Sequence, residues 1–181
     1  MTDDLRSPIV INGSVRRSFI FPGSSQNAIE FFQNYPQIFD LLPHISLVNQ
    51  NGKNQFRLKY DTIELGLYHV EIFCEVEAKL DPANQTLYFL PAQFDKKVKA
   101  QAGLYSLSGQ GIYTSQSKFV VHGQDTAVFY QLELSAQLPT PWGLRLMPEL
   151  IRNRVAASIT QHRIVEIADA FIERAIYHFQ A

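Results

Sequence analysis

The sequence predicts an α+β fold: one curved antiparallel sheet, two short helices after its first strand, and a long C-terminal helix packed on it. Three observations predict it. Residues 149–179 contain neither Gly nor Pro and carry apolar residues at helical spacing. Residues 44–138 alternate apolar and polar side chains and are cut by turn signals, as strands of a half-buried sheet are. Between the first strand-like run and that meander lies a short stretch with capping hydroxyls and prolines. A chain of 181 residues with 46% hydrophobic and 18% charged residues fits one domain, 1–181, with a well-filled core.

The elements follow in order. Residues 10–21, rich in β-branched and aromatic side chains, read as a strand that Pro22 and Gly23 stop. Ser24 and Ser25 offer helix caps, and Asn27 with Glu30 a second capping box. Ala28, Ile29, Phe31, Phe32 and Tyr35 then recur at helical spacing, and Pro36 opens a second short helix that Pro43 ends. Asn51-Gly52 is the strongest two-residue hairpin signal and joins runs 44–50 and 53–62. Residues 64–80 read as one longer strand. Tyr68, Val70, Ile72, Cys74, Val76 and Ala78 fall on one face, with His69, Glu71, Phe73, Glu75, Glu77 and Lys79 on the other. Asp81-Pro82-Ala83-Asn84 turns the chain into 85–90, and 111–122 pairs with 126–138 through Gly123-Gln124-Asp125. In the last helix Ile151, Val155 and Ile159 share a side, while the stripe from Ile164 to Phe179 is rotated from it. A bend or break at 160–163 is expected between them.

Composition narrows the function. Sixteen Lys and Arg against seventeen Asp and Glu leave a net charge of -1, so no basic field exists to hold nucleic acid. The single cysteine, Cys74, excludes an internal disulfide framework and multi-cysteine zinc sites and fits a reducing compartment. The acidic start, residues 1–4, is unlike a secretory leader, and the longest uncharged stretch, 100–117, is too polar to span a membrane. A soluble, cytoplasmic protein is expected.

Two stretches carry a family likeness. Tyr35-Pro36-Gln37-Ile38-Phe39-Asp40-Leu41-Leu42-Pro43-His44-Ile45 is similar to the aromatic–acidic–Leu-Pro-x-aliphatic run with which proteins of the START/Bet v 1-like (SRPBCC) superfamily leave their helical pair. The element order resembles that superfamily's helix-grip fold over nearly the whole chain. Leu138-Pro139-Thr140-Pro141-Trp142-Gly143-Leu144-Arg145-Leu146-Met147-Pro148 resembles the Pro-flanked lead-in to the last helix in an uncharacterised cyanobacterial and plastid branch. The fold hosts lipid carriers, hormone receptors, cyclases, quinone-binding factors and chaperone regulators, so the likeness speaks for architecture more than activity.

What the resemblance implies is a cavity between sheet and helix for a hydrophobic or amphipathic small molecule, lipid-, pigment- or quinone-like. Its wall would be Phe56, Leu58, Tyr60, Tyr68, Val70 and Ile72 from the middle strands. Val128, Tyr130 and Leu132 would come from the last strand, and Ala168, Phe171 and Ala175 from the helix. The plain alternative is a filled core with tyrosine hydroxyls at its rim. The 12% aromatic content is consistent with a hollow, because large rings leave gaps unless closely complemented.

Other chemistry has less behind it. His69, Glu71 and Glu75 share a strand face but form no complete ligand set, and no pattern calls for a metal or cofactor. There is no nucleophile elbow, Cys74 belongs to the inner face, and Glu71, Glu75 and Glu77 point outward by alternation. The polar segment 91–110 is a loop that could act as a lid over the pocket mouth. Trp142, Leu144, Leu146 and Met147, with Arg145, Arg152, Arg154 and Arg163 nearby and Glu149 and Glu166 diluting their charge, could touch a membrane surface transiently; the favoured reading is that Trp142 and Met147 plug the sheet's end. Of the adjacent Arg16 and Arg17, one must face inward and needs a partner or a ligand carboxylate. Binding, with an assembly factor or a cyclase- or hydrolase-like enzyme as alternatives, is the expectation.

Overall fold

A computed structural model describes residues 7–181; the acidic start at residues 1–4 lies outside them. Strand β1 (Ile9–Phe21) alternates buried and exposed residues and ends at Pro22. Helix α1 (Ser25–Phe32) starts where the Ser24 hydroxyl accepts from the Asn27 backbone N–H, so Ser24 is the cap and the box from Asn27 is not used. Helix α2 (Tyr35–Asp40) carries Pro36 in its first turn, where no intrahelical donor is lost. Strands β2 (Ile45–Asn51), β3 (Gln55–Glu64), β4 (Tyr68–Asp81) and β5 (Thr86–Pro91) follow, then β6 (Gln101–Ala102), β7 (Ser106–His122) and β8 (Asp125–Leu138). A 3₁₀ turn (Trp142–Leu144) leads into helix α3 (Glu149–Gln180).

The described strands form one sheet in the order β1-β8-β7-β5-β4-β3-β2, with β6 beside β7. The first strand closes on the last: β1 pairs antiparallel with β8 from Ile9–Leu138 to Phe21–Thr126. Strand β5 stops at Pro91, which has no N–H to continue a ladder. Beyond it β4 and β7, which run the same way, pair directly from His69–Ser106 to Cys74–Gly111.

Two expectations are corrected. The run 64–80 is not one strand: Leu65-Gly66-Leu67 turns the chain between β3 and β4, with Leu65 at φ 52 and Gly66 at φ 67. A leucine rarely takes that left-handed conformation, so Gly66 was the sole local signal. Helix α3 is continuous, without a break at 160–163. At the junction of its two stripes the Thr160 hydroxyl donates back to the Ala156 carbonyl at 2.8 Å, a bond of the kind that bends a helix without breaking it.

Helix α3 lies along β1, and Gly13 sets their separation. A Cβ there would sit 3.1 Å from Thr160 Cγ2 and 3.3 Å from Ile164 Cγ2, so hydrogen alone lets the helix approach this closely. The space between sheet and helix then divides in two. At the α1–α2 end it is filled by rings: Phe32 meets Phe119 at 5.1 Å and Phe171 at 5.9 Å, and Phe39 meets Phe56 at 5.1 Å, all edge-on. The other end has only the first half of α3 to cover it, and there the packing is incomplete.

Candidate functional site

The incomplete packing leaves an apolar cavity of about 90 Å³ between the sheet and the first half of α3. Ile9 and Ile11 of β1, Tyr60 of β3, Tyr68, Val70 and Ile72 of β4, and Leu134 of β8 form its sheet side. Val155, Ala156, Ile159 and Thr160 form its helix side, with Leu65, Leu144 and Met147 at the mouth. Ala156 and Thr160 are small for this position, which is why the hole lies here. A second space of about 20 Å³ lies deeper, lined by Leu58, Cys74 and Leu132 among others. Tyr60, Leu134, Ile164 and Ile167 line both spaces and stand between them.

The expected wall divides accordingly. Tyr60, Tyr68, Val70 and Ile72 line the main cavity, and Leu58 and Leu132, with Tyr60, the inner space. Phe56, Val128, Tyr130, Ala168, Phe171 and Ala175 are buried in the filled half of the core and line neither. The phenylalanine rings close gaps rather than open them; the hollow is lined mainly by aliphatic side chains together with Tyr60 and Tyr68. Sequence reasoning missed Ile9, Ile11, Leu134 and the helix residues Val155, Ala156, Ile159 and Thr160. The stripe Ile151–Val155–Ile159 beside two small residues was the available signal.

A polar string borders the cavity. The Tyr60 hydroxyl donates to Glu64 Oε1 at 3.1 Å, and Arg163 donates to both Glu64 oxygens, Nε at 2.9 Å and Nη2 at 3.3 Å. Arg163 Nη1 also reaches Glu166 Oε2 at 2.7 Å, and Glu166 Oε1 lies 3.2 Å from His44 Nε2. Burial, then the Glu64 charge, pushes the Tyr60 hydroxyl well up from its ordinary value, so it stays a donor. The bond to Arg163, followed by that to His44, holds the Glu166 carboxyl below the usual carboxylate value. Arg152, 5% exposed, also lines the cavity.

Other candidates settle into structural roles. Asp61, His69 and Glu71 converge, but Lys59 Nζ already pairs with two of them, 2.6 Å from Asp61 and 3.4 Å from Glu71, and supplies the positive charge a cation would bring. Glu75 does not join them, and it is not solvated as alternation implied: it is 5% exposed. Phe94 N–H and Gln110 Nε2 donate to its Oε2, while Arg57 pairs with its Oε1. Arg57 also reaches the Lys96 carbonyl oxygen and stacks over the Phe94 ring at 5.0 Å. The first part of segment 91–110 is thus fastened to the outer face of the sheet and is no lid. Only its end reaches the mouth, where Leu104 O accepts from Gly143 N and the Tyr105 ring sits 5.8 Å from that of Tyr68. Trp142 is 59% exposed and plugs nothing, whereas Leu144 and Met147 do line the mouth. Arg17 is the inward arginine and grips Asp169 of α3 at 2.7 and 3.2 Å, which leaves it no need of a ligand. Burial pushes the Cys74 thiol up to about 12, so it is inert packing.

A curved antiparallel sheet holding a long C-terminal helix, with a hollow between them, is the helix-grip architecture. No protein-family model and no curated protein matches the chain. Solved structures share the fold. One is a Thermus thermophilus protein, 15% identical, TM-score 0.51, covering 91% of this chain and 98% of its own. Another is the Zhui aromatase/cyclase of a Streptomyces strain, 10% identical, TM-score 0.50, covering 91% and 93%. The di-domain aromatase/cyclase BexL is 13% identical with a TM-score of 0.54 over 94% of this chain and 51% of that one. At these identities the likeness establishes the fold. Among the described residues no helix is long and apolar enough to cross a membrane.

Proposed function

We propose that the chain binds a hydrophobic small molecule between the sheet and the first half of α3. The observation that carries this is the apolar cavity itself, lying between sheet and helix and walled mainly by aliphatic groups. At about 90 Å³ it is smaller than the roughly 300–1,000 Å³ pockets that engulf drug-sized ligands. A slim alkyl chain or a single ring suits it; a larger lipid-, pigment- or quinone-like body needs the first turns of α3 to lift. Pro148 caps those turns without a side-chain hydrogen bond and Leu150 and Ile151 are exposed, so the bonds from Arg152 to Ser7 are what such a movement must release. Each buried methylene would contribute about 0.8 kcal/mol before ordering costs.

Extraction of gently purified protein with organic solvent, followed by mass spectrometry, tests the reading. A stoichiometric compound is expected from the native chain and none from Ala156→Leu, whose larger side chain occupies the cavity. An empty extract from the native chain, together with no saturable uptake of octan-1-ol, overturns it.

One observation favours a second reading, a cyclase- or hydrolase-like enzyme: Tyr60, Glu64 and Arg163 bring ionisable groups to the cavity wall. It ranks second because both Glu64 oxygens already accept from Arg163. The rim of exposed apolar residues, with Leu146 97% and Leu150 74% exposed, supports transient contact with a membrane or a protein partner during ligand exchange.

A further inference from the structure

Hydrophobic binding leaves one group on the cavity wall unexplained. Arg152 is 95% buried on the first turns of α3 and lines the cavity. Its Nη2 donates to the Ser7 carbonyl oxygen at 3.0 Å and to the Ser7 hydroxyl at 3.2 Å, and its Nε–H is buried with no acceptor at all. The Ser7 carbonyl is shared, since the Thr140 hydroxyl donates to it as well at 3.0 Å. Among the described residues Arg152 has no carboxylate partner, whereas the other arginine of the cavity, Arg163, is neutralised by Glu64 and Glu166. Among the described residues, therefore, nothing on the wall compensates this positive charge. The uncapped N-terminus of α3, with its outward-directed N–H groups, adds to the positive potential at the same end. A buried guanidinium without a counter-ion is costly, and an apolar side chain of similar volume would pack here at less expense.

We infer that Arg152 recognises an anionic head, and that the molecule bound here is an amphipathic acid: a slim apolar body ending in a carboxylate or similar oxyanion. This rests on the binding reading above and names the class of molecule it takes. The apolar body fills the space between Val70, Ile72 and Ala156, and the head accepts from the Arg152 Nε–H. The competing account, that Arg152 only fastens the Ser7 segment to α3, gives no preference for charge.

The test is a matched pair of probes, octanoate and octan-1-ol, titrated at pH 7.5 into the full chain by calorimetry or NMR. A charge-assisted hydrogen bond in a dry pocket favours octanoate by at least about tenfold. Arg152→Gln keeps a donor for Ser7 and removes the charge; its octanoate-to-octanol affinity ratio should fall to about one, and Arg152→Lys should restore part of the preference. A native ratio below about threefold, or a preference that survives in Arg152→Gln, overturns the role of Arg152 while leaving the hydrophobic site in place. Should neither probe bind, both readings fall. Should Arg152→Gln not fold, a native ratio below about threefold still overturns the proposal, and Arg152→Lys carries the comparison.

Discussion

A carboxylate on the polar face of a strand is ordinarily solvated, yet Glu75 is nearly inaccessible because the segment after β5 lies over it. Its charge is balanced by Arg57, whose own side chain is 15% exposed. Removing one member of such a pair strands the other. Glu75→Ala should cost about 3 kcal/mol in urea unfolding, and the double variant Arg57→Met/Glu75→Leu should regain most of that loss. Glu166 gives a pH signature instead. Its folded-state carboxyl is held below the ordinary 4.5, mainly by Arg163. The stability it contributes is therefore present above that value and is lost as pH falls through the lower, folded one. Melting temperature measured below pH 4.5 should fall less steeply in Glu166→Gln than in the native chain; equal slopes would exclude this linkage.

At the scale of elements, α3 sits at the distance Gly13 permits. Gly13→Val places two methyl groups against Thr160 and Ile164 and should lower stability by about 1–3 kcal/mol, seen as a drop of several degrees in melting temperature. Most elements were legible because their physics is local. Period-two alternation marked β3 and β8, Ser24 marked the start of α1, and Pro36 that of α2. The failures were tertiary. The Leu65 turn defies residue preference, and its side chain lies at the cavity mouth, a placement set by tertiary contacts. The unbroken α3 changes face along its length because one half covers a hollow and the other a packed core.

At the scale of the molecule, the same asymmetry explains what could be read of the site. Alternation told which strand residues face the helix, and Tyr60, Val70 and Ile72 do so. It could not tell which end of the sheet would be empty, because that depends on the two short helices carrying Phe32 and Phe39 to one end only. Arg152 was even less visible, since an arginine on a helix is normally solvated and only its burial distinguishes it. The cavity also has a cost in packing. Ala156→Leu should therefore stabilise the chain by about 0.5–2 kcal/mol in thermal or urea unfolding while abolishing uptake of octan-1-ol, an opposition between robustness and function that a filled core would not display.

The seam between β1 and β8 has a consequence for how the protein is made. Ile9 finds its ladder partner in Leu138, so β1 emerges from the ribosome with no edge to join until β8 has followed. At roughly 5–20 residues per second that delay is on the order of ten seconds, during which a sticky, unmated ribbon is open to wrong encounters. The grip can close only once β8 and α3 have been made.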